Sequence, residues 1–326
     1  MNLQRRHFLG AYAAAALPLE PLRAQALSDT VRLLAGFAAG GTIDVTARRL
    51  ADRLRDTVAR AVVVENRTGA GGQIALSALK SAAPDGLTLA ISPMSMLGIY
   101  PHTYKTLPYA PASDFLPVSQ VARLDFALAV GPMVPETVRT LADFAAWCRA
   151  QPRDANFGSA AAGSVPHFVG ELFGREAGLD LKHVPYRGSQ PAITDVIGGQ
   201  IAAACGPVGE FLQHLPGGKV RLLATSGAAR SRFAPAVPTF AEQGFKGGVH
   251  DEWFGVFAPA RTPPERIERL SEAVRRALAA PDLVAALAQM GLEARGSTPA
   301  ELAALLRKDT ERWAPLIKTL GFTSDT

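Results

Sequence analysis

Ser159 or Ser164, His167 and Asp195 are the residue types from which a nucleophile, a base and its orienting carboxylate are built. Their spacing argues against that use. A hydrolase elbow needs G-x-S-x-G, and Gly158-Ser159-Ala160-Ala161-Ala162-Gly163 does not provide it. A serine ahead of a helix, with a histidine one turn in, is more often a cap and a packed ring. Metal chemistry has equally thin support. His167 and Glu171 stand at i, i+4 and His250-Asp251-Glu252 cluster, but neither gives three or four ligands at a recognised spacing. No metal, cofactor or catalysis is expected.

A different chemistry is written in the glycines. Gly36-Phe37-Ala38-Ala39-Gly40-Gly41-Thr42-Ile43-Asp44 joins an apolar strand, Val31 to Leu34, to an amphipathic helix. Paired glycines allow φ > 0 and close approach, and the following helix aims unpaired N–H groups at the same space, which favours an anion. The spacing Gly36, Gly40, Gly41 is wrong for a dinucleotide loop, and G-x-x-x-x-G-K-[ST] is absent. A second turn of this kind, Gly158 to Ser164, leads into another helix with Ser164 as the expected N-cap. Two such walls suit non-covalent capture of a small acid. Only Arg67 and Arg187 place a cation in such loops, so neutral donors are expected to carry most of the recognition.

The elements that position these loops alternate. Ile43, Ala47, Leu50, Ala51 and Leu54 mark one helix face, and Ala61-Val62-Val63-Val64 reads as a strand covered on both sides. A helix ending near Ala82, the turn Pro84-Asp85-Gly86 and the strand Leu87 to Ser92 complete a βαβαβ unit with a parallel sheet. Ligands of such sheets sit at the C-terminal strand ends, where the opening loop and Ser92 both fall. Residues 93–120 read as a loop rich in proline, and Leu124 to Val130 as a strand that crosses to a second α/β unit. In that unit Gln200 to Cys205 is a strand stopped by Gly206-Pro207. Glu252 to Ala258 returns, followed by helices capped at Thr262-Pro263-Pro264-Glu265 and Thr298-Pro299-Ala300-Glu301 that pack back on the first unit. The expected fold is α/β with two lobes joined by two crossing segments and a ligand cleft between them. The first lobe takes residues 27–126 with 253–326, and the second takes 127–252.

Bulk properties agree. A chain of 326 residues that is 48% apolar and 19% charged is globular and long enough for two domains. Residues 1–26 combine Arg5-Arg6, a short apolar run and Leu22-Arg23-Ala24-Gln25-Ala26, the parts of a twin-arginine export signal cleaved near Ala26. Its removal takes the formal charge from +5 to +3, which asks for no nucleic-acid partner. The mature protein is expected to be an exported, soluble monomer. Cys148 and Cys205 read as buried free thiols.

Five stretches together resemble one family: Gly40-Gly41-Thr42-Ile43-Asp44, Val63 to Gly72 with Glu65-Asn66-Arg67-Thr68-Gly69-Ala70-Gly71-Gly72, Pro84 to Leu89, His183-Val184-Pro185-Tyr186-Arg187-Gly188, and Trp253 to Pro259. From about Val31 to the C-terminus the chain is similar to Bug-type, or TctC-type, extracytoplasmic solute receptors of the tripartite tricarboxylate transporter family. The resemblance implies a periplasmic binding protein fold that closes on a small organic acid and serves integral membrane transporter subunits. It also implies a ligand wall of Phe37, Ala39, Gly41, Thr42 and Asp44 with Ser92 and Met94. An opposing wall of Ser159, Gly163, Ser164 and His167 follows, with Cys205 at the next strand end and Asp195 behind. A sensor partnered with a membrane kinase, or an exported hydrolase, are the alternatives. Three departures stand out. Ala38-Ala39 replace a proline, Cys205 an acidic residue, and Met94 and Met96 smaller polar ones.

Overall fold

The computed structural model describes residues 28–324, so the export-signal reading of residues 1–26 lies outside the described residues. The first half of the chain forms β1 (Ser28–Ala35), α1 (Thr42–Leu54), β2 (Ala59–Asn66), α2 (Gln73–Lys80) and β3 (Thr88–Pro93). A π-helical turn, Ser95–Ile99, runs into α3 (Tyr100–Thr103), then α4 (Pro111–Asp114) and β4 (Phe115–Val130). The middle contains α5 (Leu141–Ala150), β5 (Asn156–Ala160), α6 (Val165–Glu176), β6 (Lys182–Tyr186), α7 (Ser189–Ile197), β7 (Ala203–Pro207), α8 (Val208–Leu212) and β8 (Arg221–Thr225). The chain ends with β9 (Asp251–Pro259), α9 (Pro264–Leu278), α10 (Pro281–Gln289), β10 (Glu293–Ala294) and α11 (Pro299–Leu320).

The strands lie in the order β2-β1-β3-β9-β4-β7-β5-β6, with β8 and β10 also paired to β4. β1 is parallel to β2 and β3, and β5 is parallel to β6 and β7, so each lobe has its own parallel unit. One long strand joins them. β4 pairs with β9 from Phe115 to Asp125, then with β7 from Phe126 to Val130. The second crossing lies just before β9 and is stitched to the first at Ser226. The Phe126 N–H donates to its hydroxyl (2.9 Å), which donates in turn to the His250 carbonyl (2.5 Å).

Several expectations are corrected. β2 is the outermost strand and Val63 is 46% exposed, so this apolar run is covered on one face only. Residues 93–120 are not one loop. Their first part folds into the π turn and α3, and β4 starts at Phe115, with Pro117 tolerated where the register with β9 shifts. Likewise β7 is not stopped by Gly206-Pro207 but runs through them, because both pair with β4. Thr298 forms the expected capping box with Glu301, whereas Thr262 forms none. Its hydroxyl donates to the Pro259 carbonyl (2.8 Å) and leaves Pro263 at the cap. Cys148 and Cys205 are buried and free, and burial pushes both thiols up, Cys148 to about 12.

Candidate functional site

A cleft of about 670 Å³ opens between the lobes at the C-terminal ends of the parallel strands. The loop from β1 to α1 supplies Phe37, Ala39, Gly41 and Thr42. Gly40 stands at φ +82 and Gly41 is the N-cap of α1, so the head of that helix carries no side chain of its own. The loop is held from behind. The Gly40 N–H donates to Asp44 Oδ2 (2.9 Å), Asn66 Nδ2 donates to Asp44 Oδ1 (2.8 Å) and to the Phe37 carbonyl (3.1 Å), and Arg48 pairs with the same carboxylate (2.9 Å). Burial opposes the charge on Asp44, but the bonds from Arg48, Gly40 and Asn66 outweigh it and hold its carboxyl below the usual range. This knot fixes the turn around Ala38-Ala39 without a proline.

From the opposite side come Ala160, Ser164 and Pro166 near the head of α6, Gly188 to Pro191 at the head of α7, and Pro207 with Glu210 at α8. Pro93, Ser95 and Tyr100 line the floor with Leu124, Phe126, Glu252 and Phe254 from the two crossing strands. Among the described residues no arginine, lysine or histidine lines the cleft. Two carboxyl groups do, and both are spoken for. Glu210 Oε1 accepts from the Thr42 N–H (2.9 Å) and the Thr42 hydroxyl, and its Oε2 accepts from Gln190 Nε2 (2.9 Å). Glu252 Oε1 accepts from the Ser95 N–H (2.8 Å) and hydroxyl (2.5 Å), and the Ser95 oxygen accepts from the Val165 N–H (3.1 Å) at the head of α6. Burial raises both carboxyls, against the bonds they accept, and brings Glu252 to about 7.

Of the residues anticipated for the site, Phe37, Ala39, Gly41, Thr42 and Ser164 line the cleft, and eight do not. Ser92, Met94 and Ser159 miss by one position. Chain alternation gives the cleft their neighbours Pro93, Ser95 and Ala160, while Ser92 and Met94 pack inward and Ser159 bonds His183 Nε2 (2.8 Å). Asp44 is the brace behind the loop. Gly163, at φ +74, faces Thr103 and donates its N–H to His167 Nδ1 (3.1 Å), which places His167 behind the loop among Phe157, His183 and Phe322. Asp195 accepts from the Tyr186 hydroxyl (2.6 Å). Cys205 is enclosed inside β7, because that strand continues two residues beyond it. Ser164 lines the cleft and starts α6, but its hydroxyl donates backward to the Ala160 (2.8 Å) and Ala161 (2.9 Å) carbonyls instead of capping. The imagined triad is therefore three separate contacts.

Sequence reasoning missed Glu210, Glu252, Ser95 and the Gly188–Gln190 turn as cleft residues. The signal for Glu210 was an acid in the first turn after a strand end, hidden by placing that end at Cys205.

The buried histidines have a consequence. Burial holds His167 near 4, and burial with the neighbouring His167 lowers His183 as well. Both stay neutral when folded while the unfolded chain protonates below about 6.5, so stability falls as pH drops through that window. At His167 the full effect is about 3 kcal/mol. The histidine share of the melting temperature should therefore fall between pH 7 and pH 4.5. His167→Gln, which still accepts from Gly163, should fall less steeply in calorimetry, and equal slopes would remove this cause.

The alternating lobes and the shared cleft define a two-lobed solute-binding protein. The profile described as "Tripartite tricarboxylate transporter family receptor" matches residues 46–322. Protein BugT of Bordetella pertussis is 34% identical over 324 residues, covering 98% of this chain and 99% of that one. Two solved structures share the architecture. Rpa4515 of R. palustris with adipate is 32% identical at TM-score 0.86, covering 90% of this chain and 98% of its own. MatC of Rhodopseudomonas palustris with bound malate is 30% identical at TM-score 0.82, covering 89% and 99%. The chain belongs to the tripartite tricarboxylate transporter receptor family.

Proposed function

We propose that this receptor captures a small organic acid in the cleft and delivers it to integral membrane transporter subunits, without turnover. The observation that carries the reading is the cleft itself, lined by the free head of α7, hydroxyls and backbone amides and, among the described residues, by no cationic side chain. Such donors are worth about 0.3–1 kcal/mol each near a carboxylate, rising to about 2 when partly buried. These donors, with burial of the solute's apolar body against Phe37, Leu124, Phe126 and Phe254, work towards the ~8 kcal/mol of micromolar binding. Adipate and malate in the two related structures belong to the same ligand class. We also infer that residues 27–126 with 253–326 and residues 127–252 are the two moving bodies, with the hinge at the Ser226 stitch. An export signal cleaved near Ala26 would place the protein in the periplasm. Among the described residues no helix is long and apolar enough to cross a membrane.

A thermal-shift panel of organic acids tests the reading. An acid at a hundred times its Kd stabilises the folded chain by about 2.7 kcal/mol, a rise of roughly 5 °C for a protein of this size. A flat response across mono-, di- and tricarboxylates would reject acid capture.

A further inference from the structure

The cleft has three helix heads on which a carboxylate can sit, and two are taken. Glu210 reaches across from α8 and puts its own carboxylate on the head of α1, held by Thr42 from one lobe and by Gln190 from the other. It stands where one end of a two-ended acid would sit. The first amide of α6, Val165, is bonded to Ser95, which is tied to Glu252. The head of α7, a nine-residue helix, remains. Gly188, Ser189 and Gln190 line the cleft there. Ser189 is 8% exposed as a residue, and its hydroxyl takes part in no hydrogen bond among the described residues. An unpartnered hydroxyl on a largely buried residue at a helix head, within the cleft lining, is free to bond a solute. Most of the remaining wall is apolar, with Phe37, Leu124, Phe126 and Phe254. A second ligand carboxylate would meet Glu210 and Glu252 with no cation in the wall to offset it.

We propose that the cleft selects a monocarboxylate carried on an apolar body, seats that carboxylate on Ser189 and the head of α7, and uses Glu210 to turn dicarboxylates away. This rests on the acid-receptor reading and narrows it. Both charge and occupancy work in the same direction, because Glu210 fills the opposite anion seat and repels what would compete for it.

Titration calorimetry of the purified protein at pH 7.5 tests it, with benzoate and phenylacetate as monoacids and adipate and malate as diacids. The wild type should bind at least one monoacid tenfold or more tightly than either diacid. Glu210→Ala should shift that ratio at least tenfold towards the diacids. Glu210→Gln keeps an amide oxygen for Thr42 but drops the charge, so it should shift the ratio in the same direction even if the alanine variant folds poorly. Ser189→Ala should weaken the monoacid at least threefold. Diacids binding the wild type as tightly as monoacids, or a ratio unmoved in both Glu210 variants, would overturn the selectivity while acid capture stands. A monoacid affinity unchanged by Ser189→Ala would overturn the seat. Failure of every acid to bind would overturn the acid-receptor reading and this inference with it.

Discussion

Glu252→Gln is expected to raise the melting temperature by about 6 °C at pH 8 and to leave it nearly unchanged at pH 4. Glu252 is 4% exposed, and burial lifts its carboxyl from 4.5 to about 7 against the bonds it accepts from Ser95, with Asp309 and Asp251 adding repulsion. A carboxyl raised in the folded state is ionised in the unfolded chain first. The contribution of Glu252 to stability therefore falls as pH rises from about 4.5 to 7 and stays low above it, opposite in sign to that of the buried histidines. The full difference is about 3 kcal/mol, from the cost of an ionised carboxyl without a cation. Glutamine keeps an oxygen for the Ser95 N–H and hydroxyl and brings no charge. Scanning calorimetry of both proteins from pH 4 to pH 9 reads the gap directly. A gap constant with pH, or a less stable variant at pH 8, would mean that the Ser95 bonds hold the charge without penalty.

Much of this architecture is legible in the residues because local chemistry decides it. The glycine pair before Thr42, the apolar face from Ile43 to Leu54, and the Thr298–Glu301 box each specify their own element. What sequence hides is parity and partnership. Strand alternation is strict, so a boundary misplaced by one residue hands the cleft to the wrong neighbour, as at Ser92 against Pro93 and Ser159 against Ala160. Partnership across 168 positions, as between Thr42 and Glu210, leaves no local trace at all. An acid in a first helical turn reads as a dipole partner of its own helix. Glu210 instead serves the head of another. Asp44 shows the reverse case, since its motif position promised a ligand contact and its side chain serves the loop behind.

The second large effect falls beside that long-range contact. Gly209→Ala is expected to lower the melting temperature by about 6 °C, since overpacking without a flexible neighbour costs about 3 kcal/mol. A Cβ at Gly209 would overlap the Met290 carbonyl, and it would meet the Gly291 nitrogen at 2.8 Å. Gly291 is itself at φ +68, and a Cβ there would stand 2.7 Å from Gly209, so neither backbone has a side chain to yield. The contact joins α8 to the turn between α10 and β10, and β10 is paired to β4 on its first-lobe portion. Pushing α8 off this seat also moves Glu210, the next residue, away from Thr42 and Gln190. One methyl should therefore do two things, lowering stability and weakening the link between lobes that closes the cleft. Monoacid affinity in calorimetry should drop at least tenfold together with the melting temperature. Gly217→Ala is the control, because its Cβ would meet only the flexible Lys219 side chain, and it should leave both unchanged. A Gly209→Ala protein that melts early yet binds acids at full affinity would separate the packing of α8 from the closing of the cleft. Loss of both would make this glycine pair the pivot on which Glu210 reaches the opposite lobe.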